Sequence, residues 1–201
     1  MHIGNGLLFI MFWPTFSRQP AARLICAAVP ALAAVHFALV GLGITADEAL
    51  VKSATRSGQR QELLRGPFMY GSVISAITAM YWRDSPVGVA AIAVLCAGDG
   101  FADIIGRRYG EHNKLPHSPS KSWAGSGACM GAGWVASMAC VLLMQAAGGK
   151  DGPLHALGVD DIVRGCGVAS FIGALTESLP VPEIDNITVP LAVALAGQYA
   201  F

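Results

Sequence analysis

Residues 86–110 read PVGVAAIAVLCAGDGFADIIGRRYG, an apolar run that passes without a turn signal into a segment carrying two carboxylates and two arginines. The apolar part is a helix suited to a bilayer core, and the rest of the chain decides whether it belongs there. Of 201 residues, 54% are hydrophobic and 13% charged, with a mean hydropathy of +0.53; an ordinary soluble domain is about 25% charged. Further apolar stretches occupy residues 24–46, 67–82, 123–147 and 162–180, with shorter ones at 3–16 and 187–201. A hydrocarbon core about 30 Å thick takes roughly 20 apolar residues as helix. The composition therefore predicts an all-α fold: one multi-pass transmembrane helical bundle over residues 1–201, with six or seven spans. Gly and Ala crowd the apolar stretches, and small residues let helix backbones approach where lipid supplies no hydrophobic drive for association.

Thirteen Lys and Arg balance thirteen Asp and Glu, so net charge points to no nucleic-acid partner. Their distribution is more informative. Threading seven spans gathers residues 47–66, 99–122 and 181–186 on one face with eight of the basic residues, and eight of the thirteen acids fall there too. By the bias of basic residues toward one side, that face is the cytosolic or stromal one. Cys26, Cys96, Cys129, Cys140 and Cys166 all lie in apolar runs without a CxxC pair, which predicts buried small hydrophobes and neither disulfides nor zinc ligands. No cationic region or cleavage-like site precedes the first apolar run, so no secretory signal is read.

If the helix from Pro86 continues through the charged segment, Asp99 and Asp103 stand one turn apart on one face, with Arg107 another turn on. Carboxylates near the end of a membrane helix are costly unless paired or metal-bound. Two of them suit Mg²⁺, which takes one or two protein carboxylates and draws its other ligands from water and phosphate oxygens. Gly98, Gly100, Gly106 and Gly110 would let backbone approach a ligand. The plainer alternative is an Asp103–Arg107 ion pair closing a helix end.

Residues 111–126, EHNKLPHSPSKSWAGS, read as a polar loop leading into the next apolar helix. Lys114, Lys121, Ser120 and Ser122, with backbone N–H groups at the helix start, are what a polyphosphate needs for charge neutralisation. Snorkelling for Lys121 and helix capping for Ser122 are the structural alternatives. Farther on, Glu177 sits inside an apolar run and should face the bundle interior, meeting Lys121, Arg107, Arg108 or a metal. Asp185 and Asn186 in LPVPEIDNITVP, with Glu183 beside them, read as turn and cap chemistry ahead of direct ligation. Lys52, Arg56 and Arg60 recur at helical spacing, which predicts a basic helix against lipid headgroups, with Arg60 or Arg65 closing over a nucleotide as the rival role. His36 reads as a satisfied histidine of the bundle, and His112 and His117 are spaced too loosely for a metal pair.

Taken together, GDGFADIIGRRYG, KLPHSPSKSWAGS, ESLPVPEIDNITVPL, HIGNGLLF and ELLRGPFMYG resemble the plant and algal phytol/farnesol kinase family within the polyprenol kinase group. The resemblance runs over most of the chain. It implies a multi-pass membrane kinase of the plastid envelope or other membranes, using CTP or another nucleoside triphosphate to phosphorylate an isoprenoid alcohol. Phytol is the expected acceptor, and its phosphate feeds tocopherol synthesis. The resemblance also implies that Asp99, Asp103, Arg107, Arg108, Lys121 and Ser122 lie in nucleotide-handling blocks. Members of that family carry a basic pair, a further membrane segment and a leader upstream of the position of His2, so the chain is expected to lack its native N-terminus.

The same blocks resemble, more weakly, phosphatidate cytidylyltransferases, which make a CDP-lipid. Against that reading, ESLPVPEIDN stands where their lysine-aspartate and histidine-glycine-glycine closing block is expected. A third reading, a transporter with an intramembrane charged path, lacks the internal repeat that transporters often show.

Overall fold

The computed structural model describes residues 2–149, 152–181 and 184–201, with side chains from residue 4 onward. It is 77% helical, and its strands form one short hairpin, so the all-α expectation holds. In chain order the helices are α1 (His2–Met11), α2 (Pro20–Leu42), α3 (Glu48–Ala54), α4 (Gly66–Met80), α5 (Pro86–Ala93) and α6 (Gly100–Tyr109). The hairpin strands β1 (Lys114–Leu115) and β2 (Ser118–Ser122) follow, then α7 (Trp123–Gly148), α8 (Val159–Glu177) and α9 (Asp185–Ala200).

Among the described residues, three helical stretches are long and apolar enough to cross a membrane: Pro20–Leu42, Pro86–Tyr109 and Trp123–Gly148. The other four expected spans form α1, α4, α8 and α9, of 10, 15, 19 and 16 residues. All four are helices of the same bundle, but they are shorter, or, in α8, opened by Asp160, Asp161 and Arg164.

The stretch 86–110 is the axis of the fold. Ser85 caps α5 through its Oγ, which accepts from the Gly88 N–H, and Pro86 occupies the first turn, where its missing N–H costs nothing. Every residue from Val89 to Cys96 is at most 1% exposed. Between α5 and α6 the helix widens into a π segment, Val94–Asp99, which ends on the first carboxylate. Helix α7 packs along all of α5, the π segment and α6, and α8 and α9 cover the other side. The approach is close: a Cβ on Gly98 would sit 3.1 Å from the Cys129 carbonyl oxygen, and one on Gly173 only 2.6 Å from Val94. Gly98 is thereby consumed in helix packing and is not presented to a ligand. Helices α2 and α4 form a second pair, joined by the Ser75 hydroxyl donating to the Ala27 carbonyl at 2.9 Å. All five cysteines are buried and free of disulfides, as composition predicted.

At the end of the bundle away from Asp99, Trp13 stacks 5.3 Å from Trp82, and the 7%-exposed Arg83 donates to the carbonyls of Pro14 and Phe16 at 3.0 and 2.5 Å.

Two segments depart from the sequence expectation. Residues 114–122 are a hairpin with an irregular register, Lys114 opposite Ser122 and Leu115 opposite Ser118, where a polar loop was expected. The basic helix expected through Lys52, Arg56 and Arg60 is broken: α3 stops at Ala54, Gly58 adopts φ +75°, and Arg60–Leu64 is a separate 3₁₀ turn. The Glu62 carboxylate accepts from the Ser57 hydroxyl and the Arg56 and Ser57 amides, replacing the backbone bonds a continuous helix would make. Those hydrogen bonds, the Ser57 hydroxyl first, hold the Glu62 carboxyl below its ordinary range. His36 is exposed and pairs with Asp47 at 3.2 Å, outside the bundle interior.

The junction between α6 and the hairpin gives a direct test of packing. A Cβ on Gly110 would collide with Ser122 Oγ and the Gly106 carbonyl oxygen, and would lie 2.7 Å from Ser122 Cβ. Gly110→Val is expected to destabilise the protein by about 1–3 kcal/mol, the usual cost of overpacking, read as a fall of several degrees in the melting temperature of detergent-purified protein. An unchanged melting temperature would show that the hairpin does not press on α6.

Candidate active site

The hairpin and the ends of α6, α8 and α9 bring together residues far apart in sequence. Lys121, on β2, points its ammonium at two acids: Nζ is 2.6 Å from Glu177 Oε1, on the last turn of α8, and 3.3 Å from Asp185 Oδ2, at the start of α9. The side chains of Lys121, Glu177 and Asp185 are only 20%, 6% and 20% exposed. Glu177 thus meets Lys121, one of the partners its apolar setting required. Asp185, read from sequence as a turn residue ahead of a site residue, also accepts from the Asn186 N–H at 3.0 Å. It therefore does both jobs. Burial alone would push the Lys121 ammonium down, but the carboxylates of Glu177, Asp185 and Asp99 outweigh it and hold the group above the ordinary lysine value.

Asp99 is half-buried at the end of the π segment and interacts electrostatically with Asp185, Lys121, Glu177 and Asp103. Three carboxylates around one ammonium leave the cluster with excess negative charge, and π segments recur at functional sites because they re-aim side chains. Asp103, one turn on, is more open, at 45% exposure. Its Oδ1 accepts from Arg107 Nε and Nη2 at 2.8 and 2.6 Å, and its Oδ2 accepts from Arg56 Nη2 at 3.2 Å. The ion pair weighed from sequence is therefore present, and it is enlarged by Arg56, which sequence reading had assigned to a lipid-facing helix. Arg60 instead packs its guanidinium against Gly43.

The remaining predicted residues are more peripheral. Arg108 is exposed and stacks 5.5 Å over the Tyr109 ring. Lys114 and Ser120 are exposed on the hairpin. Ser122 is buried, and its Oγ caps α7 by accepting from Gly125 N–H at 3.1 Å, so its hydroxyl is committed to the fold. Gly100 is half-buried and opens α6. His117 is within 3.3 Å of Ser178 Oγ. Glu183 lies outside the described residues. Among the described residues no group of three or more His, Cys, Asp or Glu converges closely enough to hold a metal ion unaided.

The arrangement is a half-buried acidic cluster, bordered by Arg56 and Arg107 and by an exposed hairpin, at the end of an apolar helix bundle. Such a site can hold a polyphosphate with its cation and present it to an amphiphile. The chain is 41% identical to "Probable phytol kinase 2, chloroplastic" of Oryza sativa subsp. japonica, covering 100% of this chain and 64% of that protein. It is 37% identical to "Phytol kinase 1, chloroplastic" and 40% to "Farnesol kinase, chloroplastic", both of Arabidopsis thaliana, again over 100% of this chain and over 65% and 64% of theirs. The chain thus spans just under two thirds of the length of these curated relatives. No solved structure matches. A sequence profile described as the Cytidylyltransferase family matches residues 3–179, from α1 to the end of α8, and with that extent the chain belongs to the Cytidylyltransferase family.

Proposed function

We propose that this chain is the catalytic domain of an isoprenoid-alcohol kinase that transfers the γ-phosphate of CTP to phytol or a related prenol in a chloroplast membrane. The observation that carries the reading is the half-buried Lys121–Glu177–Asp185 cluster beside Asp99 at the polar end of an apolar bundle. The names of the relatives support the substrate class and the compartment. Phytyl phosphate so made would feed tocopherol synthesis.

In this reading α1, α4, α8 and α9 complete a six- or seven-span bundle with α2, α5–α6 and α7, by tilt and local thinning of the bilayer. Leu24, Ile25, Val29 and Leu32 on α2, and Leu191 and Leu195 on α9, are all more than half exposed, an outer surface that suits lipid and not water.

Lys121 and Arg107 neutralise charge on the phosphates, with Arg108, Lys114 and Ser120 at the rim. Asp99 and Asp103 are the proposed Mg²⁺ ligands. The donor set fits a cation that arrives with the nucleotide: carboxylates are in excess, yet among the described residues too few converge to hold a metal alone. Asp103 keeps one lone pair on Oδ2 after its three arginine hydrogen bonds. When bound, Mg²⁺ would neutralise charge on the phosphate oxygens. The alcohol oxygen forms its bond to the γ-phosphorus as the bond from that phosphorus to the β–γ bridging oxygen breaks, and the hydroxyl proton passes to a carboxylate. In this reading the acceptor is Glu177 or Asp99.

The family name favours one alternative, transfer of the cytidylyl group to phosphatidate. Membranes containing the chain, given phytol, farnesol or geranylgeraniol with γ-labelled CTP, are expected to move label onto the alcohol. Phosphatidate with α-labelled CTP is expected to give no liponucleotide. Label in a liponucleotide would replace the kinase with the cytidylyltransferase, and solute flux through proteoliposomes without nucleotide turnover would replace both.

A further inference from the structure

Between α1, α2, α3 and α4 lies a cavity of about 390 Å³, open on the outer side of the bundle where Val29 and Ala33 are exposed, within the roughly 300–1,000 Å³ of small-molecule sites. Its wall is apolar, with Phe9, Val29, Phe37 and Ile74 prominent, and among the described residues no charged side chain lines it. The polar side chains in the lining are Asn5, Ser53 and Tyr70. Tyr70 ties this cavity to the candidate active site. Its hydroxyl is 2.8 Å from Cys96 Sγ, on the π segment one turn before Asp99, and the two residues Tyr70 and Asp99 interact electrostatically. The floor is tightly drawn, because a Cβ on Gly6 would collide with Cys96 Sγ and sit 2.6 Å from the Tyr70 hydroxyl.

We propose that this cavity holds the isoprenoid chain of the acceptor alcohol, with its hydroxyl at the Tyr70 end facing Asp99 and its tail along Val29 and Ile74. The proposal rests on the kinase reading above for its substrate class, while the site itself follows from the cavity. Charge selects the occupant. An anionic phospholipid would bring its headgroup to a lining without a cation among the described residues, and an unpaired buried charge is expensive. A neutral chain with one hydroxyl matches the lining, in which the few polar side chains stand among aromatic and aliphatic ones. Chain-length preference would then be set by side chains on opposite walls, among them Ala33 on α2 and Ala54 on α3.

The test uses the purified protein in lipid nanodiscs and the variants Ala33→Phe and Ala54→Phe, which shorten the cavity from two sides. Each is expected to raise KM for phytol about tenfold relative to geraniol, a difference of about 1.4 kcal/mol, with KM for the nucleotide unchanged. Wild-type transfer with an unaltered chain-length profile in both variants would overturn the cavity and leave the kinase intact. A photoreactive farnesol analogue gives a second readout that needs no transfer. It is expected to crosslink to Ala33, Ile74 or their neighbours, with phytol competing and phosphatidylglycerol not. Crosslinks elsewhere, or displacement by the phospholipid, would overturn the assignment. Crosslinking at the cavity in a protein that phosphorylates no alcohol would uphold the prenol site and overturn the kinase reading.

Discussion

Lys121→Met is expected to abolish phosphoryl transfer and to destabilise the protein together. The two effects have separate causes that further variants can part. Lys121 Nζ serves Glu177 at 2.6 Å and Asp185 at 3.3 Å, and the Glu177 side chain is 6% exposed. Removing the ammonium strands a buried carboxylate, and breaking such a pair costs about 3–5 kcal/mol. Lys121→Met/Glu177→Gln removes both charges and is expected to regain most of the lost melting temperature. It is not expected to regain transfer, because the one ammonium held inside the acidic cluster is gone and the more exposed Arg107 alone does not replace it. Recovery of transfer in the double variant would make Lys121 a structural residue only. Lys121→Arg keeps the charge and is expected to retain measurable activity, reduced because a planar fork replaces a compact ammonium.

The same network sets a pH expectation. The folded value of Lys121 lies above its ordinary 10.5, so the stability it contributes is fully present below that value and is lost only as pH rises through the folded one. From about pH 7 to pH 9 the melting temperature should therefore show no loss traceable to Lys121. A steep fall across that window, absent in the double variant, would mean that the ammonium titrates low and that burial outweighs its carboxylate partners.

Legibility differed between parts of the molecule for physical reasons. Every apolar stretch became a helix, because a long run of apolar residues has few other ways to satisfy its backbone. Glu177 could be placed from sequence, since a carboxylate in an apolar run needs a cation and Lys121 was one of few available. Asp185 was harder: beside Pro182 and Pro190, turn chemistry explains an Asp equally well, and only the packing of α9 on α8 sends its second oxygen to Lys121. The role of Arg56 depends on the break after Ala54. Spacing of Lys52, Arg56 and Arg60 matches a helix, and the competing signal, a glycine at φ +75° with Glu62 folding back on the preceding amides, is a tertiary choice. The hairpin at 114–122 is equally hidden, since two short strands rich in Ser, Pro and Lys carry no alternating pattern. The glycines of the charged segment illustrate an ambiguity of type: Gly98 and Gly110 do allow close approach, but what approaches is α7 and the hairpin.

Asp99→Asn is expected to give the other large loss. Asp99 ends the π segment, half-buried, among Lys121, Glu177 and Asp185. It is the proposed metal ligand whose carboxylate no arginine holds, so an amide there removes both charge and a ligand for the nucleotide's cation. Transfer is expected to fall on the order of 10²–10³-fold, as when one preorganised electrostatic partner is lost. The Mg²⁺ concentration for half-maximal activity is expected to rise. Asp103→Asn should behave differently. Asp103 is 45% exposed and anchors Arg107 and Arg56, so its loss frees two guanidinium groups as well as a ligand. A smaller fall in kcat, with a raised KM for the nucleotide, is expected. Steady-state kinetics across a Mg²⁺ series separates the two patterns. Near-normal transfer by Asp99→Asn would remove the metal assignment from this site. Equal losses in both variants, with the same Mg²⁺ shift, would make the two carboxylates an evenly shared metal pair and leave the arginine contacts without a catalytic consequence.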